Sequence, residues 1–187
     1  MTHSIDFDSI EARLFTLHHA VLGSRAFCDR FKIARGSEPS AEYEWWQYFG
    51  NLKALVSGTM IDAAIKIRML QDIGRAEDEE FDPNTLQLEA SRDLDIGIIE
   101  GGGALSLRDS CNKIIHATGA KLVWQEVGAG KGVFEYWTGV YRLFGTEQSG
   151  KAWVARINVA DWCTAMMRFN ATFQERIDWA HVLKWDE

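Results

Sequence analysis

Within "SLRDSCNKIIHATG", residues 106–119, an arginine, an asparagine and a histidine follow one another at four-residue intervals: Arg108, Asn112 and His116. A guanidinium can hold a phosphate through two parallel N–H bonds, an imidazole can give or take a proton near neutral pH, and an amide can orient either partner. These groups suffice to cleave RNA without a metal. The ribose 2′-hydroxyl attacks the adjacent phosphorus, histidine moves the proton, and arginine stabilises charge on the phosphoryl oxygens. Asp109 and Lys113 flank the three as candidate binding residues.

The spacing requires a helix. Ser106 and Asp109 fit the separation of a capping box, which places Arg108 in the first turn. At about 100° per residue, Arg108, Asn112 and His116 span about 80° of the helix surface, beside the apolar sector of Leu107, Cys111, Ile114 and Ile115. The free N–H groups of the first turn favour an anion near Arg108. A purely structural reading fits the same residues. A histidine near a helix C-terminus is favoured by the dipole, Asn112 can bond a nearby loop, and Arg108 can pair with Asp109 or Glu100.

Other elements must position this helix. Asp8, with Glu11 three residues on, can cap a long first helix with Ile10, Leu14, Leu17, Val21 and Cys28 on one face. Gly36 reads as a break, Ser37 as a cap and Pro39 as first-turn proline before a second long helix. Its seam is Trp45, Phe49, Leu52, Val56, Met60, Ala63, Ile67 and Leu70, ending near Ile73. Asp82 and Pro83 start a further helix that runs towards Gly101, Gly102 and Gly103. No G-K-[ST] follows these glycines and no clear strand precedes them, so they read as a connection and not as a phosphate loop.

From "AKLVWQEV" onward the period changes to alternation. "VFEYWTGVYRLFG" and "KAWVARINV", joined by "TEQSG", read as a hairpin, with Trp153, Ala155, Ile157 and Val159 opposite Val154, Arg156 and Asn158. A third strand is expected because an isolated hairpin is seldom stable. Asn158 and Asp161 form a second cap pair, before a last helix lined by Trp162, Met166, Phe169, Phe173, Ile177 and Ala180. The expected fold is mainly α: a single domain over 1–187, a bundle of four to five helices with a small antiparallel β-hairpin or three-stranded sheet, about 121–159, before the last helix.

With 187 residues the chain can build one ordinary core. No apolar run reaches the roughly 18 residues of a membrane span, and "MTHSIDFDSIEARL" lacks the layout of a signal peptide, so the reading is cytoplasmic, with no membrane partner. Cys28, Cys111 and Cys163 are odd in number and widely spaced, which offers neither a disulfide framework nor a C-x-x-C motif and suits small core side chains. The net charge of −7 disfavours a general nucleic-acid binder. Between residues 101 and 160, however, seven basic residues oppose four acidic ones, a local +3 that leaves −10 elsewhere; this is the pattern of one polyanion-facing surface on an acidic body.

"LRDSCNKIIHA", with a long helical pair before it and "YRLFGTEQSGKAWVARINVADWCTAM" after it, resembles the HEPN-like helical proteins (higher eukaryotes and prokaryotes nucleotide-binding), in particular a bacterial group of them. The likeness covers the motif and hairpin closely and the first two helices in layout. It implies a bundle that often dimerises, with the motifs of two subunits meeting across the interface. It also implies metal-independent ribonuclease activity in toxin, phage-defence or RNA-processing systems. Arg108 then matches the motif arginine, Asp109 the polar residue after it and His116 the motif histidine. Seven residues separate Arg108 from His116, where the family usually has four to six; Asn112 takes the intervening polar role.

Neighbouring residues offer less. Adjacent His18 and His19 point in different directions from a helix, His181 follows Asp178 as an ordinary terminal pair, and Trp45 with Trp46 suits bundle packing better than base stacking. No zinc motif or nucleophile triad occurs, so no metal or cofactor is assigned. Two readings stand. One is a metal-independent endoribonuclease acting on RNA through Arg108, Asn112 and His116 of a homodimer. The other is a non-catalytic HEPN-like nucleotide-binding or protein-interaction module, such as an antitoxin or defence-system partner. A solvent-open basic cleft favours the first, and satisfied, buried polar groups favour the second.

Overall fold

The structure, a computed structural model, describes residues 7–36, 43–77 and 82–176. Helix α1 covers Phe7–Phe31 and α2 covers Trp45–Glu77. Both bury the predicted seams: Ile10, Leu14, Leu17 and Cys28 on α1, and Trp45, Leu52, Val56, Met60, Ala63, Ile67 and Leu70 on α2. The start of α1 differs from the capping prediction. Asp8 lies inside the first turn, and Glu11 instead accepts from Asn170 Nδ2 at 3.0 Å. The first helix also ends before Gly36, where Lys32 adopts φ 49°. Ser37 and Pro39 lie outside the described residues.

Asp82 caps α3, Pro83–Ala90, by accepting from the N–H groups of Asn84 and Thr85 at 3.0 and 3.2 Å. These bonds, with the Thr85 hydroxyl foremost, hold the Asp82 carboxyl below the usual carboxylate range. The helix stops after eight residues and does not reach the triple glycine. The chain instead forms a strand, β1, Gly97–Ile99, followed by α4, Leu107–Ile115.

Strands β2 (Gly119–Val127), β3 (Phe134–Thr146) and β4 (Ala152–Asn158) then lead into α5, Val159–Arg176. The sheet is antiparallel with order β1-β4-β3-β2. Among the described residues it has four strands, not two or three, and its fourth member comes from before α4, where the sequence pattern suggested a helix. Three residues are too few to display alternation; β1 exists because Gly97–Ile99 pairs with Ile157–Ala155.

Cross-strand pairing turns Trp137, Tyr141, Leu143, Trp153, Ala155 and Ile157 into one core with α1, α2, α4 and α5. A smaller aromatic cluster around Cys28, Ile33, Trp45 and Phe134 closes one end. All three cysteines are buried, and burial raises each thiol, Cys111 and Cys163 to about 12. Asn158 Nδ2 donates to Asp161 Oδ2 at 3.2 Å where α5 begins, a side-chain pair and not the expected cap, since Asp161 Oδ2 also takes the Asp95 N–H at 3.1 Å and the Asn158 N–H goes to the Ile96 carbonyl at 3.0 Å; Ile177 and Ala180 lie outside the described residues.

The register of β2 on β3 shifts between Leu122 and Trp124, which pair with Tyr141 and Trp137. Three residues of β3 thus oppose one of β2, a bulge that bends the strand around α1. Gly139 sits in it at φ 83°, and an added Cβ would lie 2.7 Å from Val21 Cγ1 on α1. Trp137 Nε1 donates to the Val140 carbonyl at 2.9 Å and Thr138 Oγ1 to that of Val123 at 2.9 Å, closing the bulge from both sides. Gly139→Ala is expected to lower stability by about 1–2 kcal/mol through the left-handed backbone alone, before the contact with Val21 is counted. Urea unfolding should show a lower midpoint with an unchanged m value.

Candidate functional site

The site is assembled around α4. Ser106 caps it, accepting from the Asp109 N–H at 3.0 Å while its hydroxyl donates to Asp109 Oδ2 at 2.6 Å. The two ends of α4 are tied to different partners. At the N-terminus the Arg108 N–H donates to Oε1 of buried Gln87 at 2.8 Å, and Gln87 Nε2 donates to the Pro83 carbonyl at 2.9 Å. At the C-terminus the Thr118 N–H and hydroxyl both donate to the Phe144 carbonyl, at 2.8 and 3.3 Å. The first turn is therefore fixed to α3, and the segment that leads from α4 into β2 is fixed to the end of β3.

This division separates the predicted residues. The Arg108 side chain, 25% exposed, turns towards α2. Nη1 donates to Gln71 Oε1 at 2.9 Å, and Nη2 lies 3.5 Å from Asp72 Oδ1. Arg68 approaches the same two residues, at 3.3 Å from Gln71 Oε1 and 3.9 Å from Asp72 Oδ2. The partners of Arg108 are thus Gln71 and Asp72, and neither Asp109 nor Glu100 pairs with it. Asp109 is engaged by Ser106, and Glu100 takes Arg142 in a two-bond clasp of 2.9 and 2.8 Å.

Asp109, Asn112, Lys113 and His116 instead line a cleft of ≈ 770 Å³ shared with Thr146, Glu147, Gln148, Ser149 and Trp153. His116 lies one residue beyond α4 as its C-cap, with its N–H on the Asn112 carbonyl at 3.0 Å, and its ring is exposed. Trp153 forms part of the wall because Gly145, its partner across the β3–β4 register, leaves room: a Cβ there would lie 2.1 Å from the indole. Lys113 Nζ stands 4.3 Å from the centre of that ring. The cleft carries the carboxylates of Asp109 and Glu147 against the ammonium of Lys113, so its charge is mixed.

The basic excess of residues 101–160 is placed elsewhere. Lys121, Arg142 and Arg156 are cross-strand neighbours on the open side of the sheet, opposite the buried strand residues, and Arg142 is offset by Glu100. Like charges facing one another across strands are unfavourable without a counterion. Phe144 takes Lys121 and Arg142 over its ring, at 5.7 and 5.3 Å.

Thr146, Gln148, Ser149 and Trp153 were not candidates from sequence. "TEQSG" marked a turn, but nothing local places that turn beside α4; the Thr118–Phe144 bonds do so. His19 is used locally, with Nδ1 at 2.9 Å from the Phe15 carbonyl and its ring on Phe15. Among the described residues no group of three or more His, Cys, Asp or Glu side chains is placed to hold a metal ion, and no helix is long and apolar enough to cross a membrane. Trp45 is buried in the aromatic cluster, whereas Trp46 is largely exposed; His181 and Asp178 lie outside the described residues.

No family model, curated protein or solved structure matches the chain. The likeness to HEPN-like proteins therefore rests on the motif and the hairpin after it.

If Arg108 braces α4, Arg108→Ala leaves Gln71 Oε1 with weaker partners and should cost about 1–2 kcal/mol. In a chain of this size that is a fall in Tm of roughly 2–8 °C. His116→Ala, at an exposed ring with no side-chain hydrogen bond among the described residues, should leave Tm nearly unchanged. Thermal unfolding of the two variants side by side checks the difference.

Proposed function

We propose that the protein is a non-catalytic HEPN-like nucleotide-binding module. The observation that carries this reading is the division of the motif: Arg108 is committed to Gln71 and Asp72, while Asn112, Lys113 and His116 open into the cleft. Catalysis of the kind the motif suggests needs the arginine and the histidine on one phosphate, and the arginine is engaged elsewhere. What lines the cleft suits recognition. Lys113 and His116 offer donors to a phosphate, Asn112 and Gln148 offer amides that can read a base edge, and ≈ 770 Å³ falls within the size range of ligand sites. The mixed charge suits one nucleotide better than a long polyanion. The same reading carries a homodimer, an antitoxin or defence-system role and a cytoplasmic setting.

The endoribonuclease is the second reading, favoured by the exposed His116 ring and by the row of Lys121, Arg142 and Arg156, which RNA could cross. Incubating purified protein with a mixed RNA pool in EDTA separates the two. The first reading expects intact RNA together with saturable binding of a mononucleotide by calorimetry. Lys113→Ala should weaken that binding about tenfold, or about 1.4 kcal/mol. EDTA-resistant cleavage that is lost in folded His116→Ala would establish the second reading. A folded protein that neither cleaves nor binds nucleotides would overturn both.

A further inference from the structure

Trp153 belongs to the core through β4, yet its indole also forms part of the wall of the α4 cleft, and only 7% of the residue is exposed. Two neighbours set this ring. Gly145, its partner on β3, leaves the space in which the six-membered ring lies: an added Cβ would stand 2.1 Å from Cζ2, 2.5 Å from Cε2 and 2.9 Å from Cη2. Lys113 of α4 brings Nζ to 4.3 Å from the ring centre. The strand pair fixes the place of the indole, whereas the ammonium stands at the end of a flexible four-carbon stem. Of the two, only the lysine can leave.

The partner that Lys113 takes is informative. Two carboxylates share the cleft with it, Asp109 four residues earlier on α4 and Glu147 on the turn between β3 and β4. An acid four residues before a lysine is the favourable order for a helical ion pair. Neither pair forms among the described residues, because the Ser106 hydroxyl holds Asp109 Oδ2 at 2.6 Å and Ser149 Oγ donates to Glu147 Oε2 at 3.4 Å. The ammonium rests on an aromatic ring and keeps its N–H donors for an acceptor that the chain does not supply. A charge-assisted hydrogen bond to a phosphate is stronger than a cation–π contact at a partly open site, so an incoming phosphate draws Nζ away. What it leaves behind is an uncovered indole.

We infer that the α4 cleft selects a purine nucleoside monophosphate by an exchange on Trp153, in which Lys113 leaves the ring for the phosphate and the purine stacks in its place. The inference rests on the nucleotide-binding reading above and deepens it. The purine follows from the platform, since stacking strengthens with ring overlap and a two-ring base covers an indole more fully than a pyrimidine does. The single phosphate follows from charge: one ammonium meets it, and the carboxylates of Asp109 and Glu147 repel any further anionic groups. Asn112 and Gln148 then lie on the same cleft wall with amides suited to the purine edge.

Calorimetric titration of the full chain with adenosine monophosphate, uridine monophosphate and adenosine tests the exchange. The wild type should bind adenosine monophosphate about tenfold more tightly than uridine monophosphate. Lys113→Ala should act in opposite directions on two ligands, weakening adenosine monophosphate about tenfold while tightening adenosine roughly threefold, because no ammonium then has to be displaced from the ring. A lysine that merely attracted phosphate would leave adenosine unmoved. Trp153→Phe, with a smaller ring, should narrow the preference for the purine; Lys113→Ala, at a partly exposed position, carries the test if that variant fails to fold. Equal affinity for the two monophosphates, or adenosine binding that Lys113→Ala does not tighten, would overturn the exchange and leave the nucleotide-binding reading standing. A folded wild type that binds none of the three ligands would overturn both.

Discussion

The backbone N–H of Trp137, near the start of β3, donates to Ser24 Oγ of α1 at 3.0 Å, and this bond joins the helical layer to the sheet. Ser24 is buried and its hydroxyl is hydrogen-bonded to that of Tyr48 of α2 at 3.3 Å, so one hydroxyl fixes the spacing of both long helices against the strand. A buried amide left unpaired costs about 1–3 kcal/mol, which makes this position intolerant of an apolar replacement. Much else follows from it. The bulge at Gly139 can wrap α1 only if the strand is held there, and the buried side chains of β3 beyond the bulge meet α2 and α5 only in that register. Ser57 and Tyr141 repeat the device nine residues further along α2, at 2.7 Å.

The same economy governs α4. A helix of nine residues is too short to stand on propensity, and its position comes from tertiary bonds at both ends. Gln87 and Gln71, both buried, receive the backbone and the guanidinium of Arg108. Trp162 of α5 donates to Ser110 Oγ at 3.0 Å from the other side. Arg108 thus contributes more to holding the helix than to the chemistry its type suggests, and the cleft beside His116 inherits its shape from that anchoring.

The long helices were legible because their seams repeat over many turns: Ile10 to Cys28 and Trp45 to Leu70 define one buried side each. The Asp82–Pro83 and Ser106–Asp109 caps were legible because both partners lie within three residues. What could not be read depended on distant partners. β1 is a strand only because β4 lies beside it, 60 residues later. Arg108 finds Gln71 and Asp72, 37 and 36 residues earlier, in place of the acidic neighbours close in sequence. Half of the cleft comes from a hairpin turn whose own sequence announces only a turn.

The sheet ends within this chain. One edge is β1, three residues long and followed at once by the turn at Gly101. The other is β2, interrupted by the register shift at Leu122 and bearing Lys121 and Glu126. Neither edge offers the long, flat run of free N–H and C=O groups that recruits a strand from another molecule. Growth by strand addition is thereby disfavoured even where the protein is crowded.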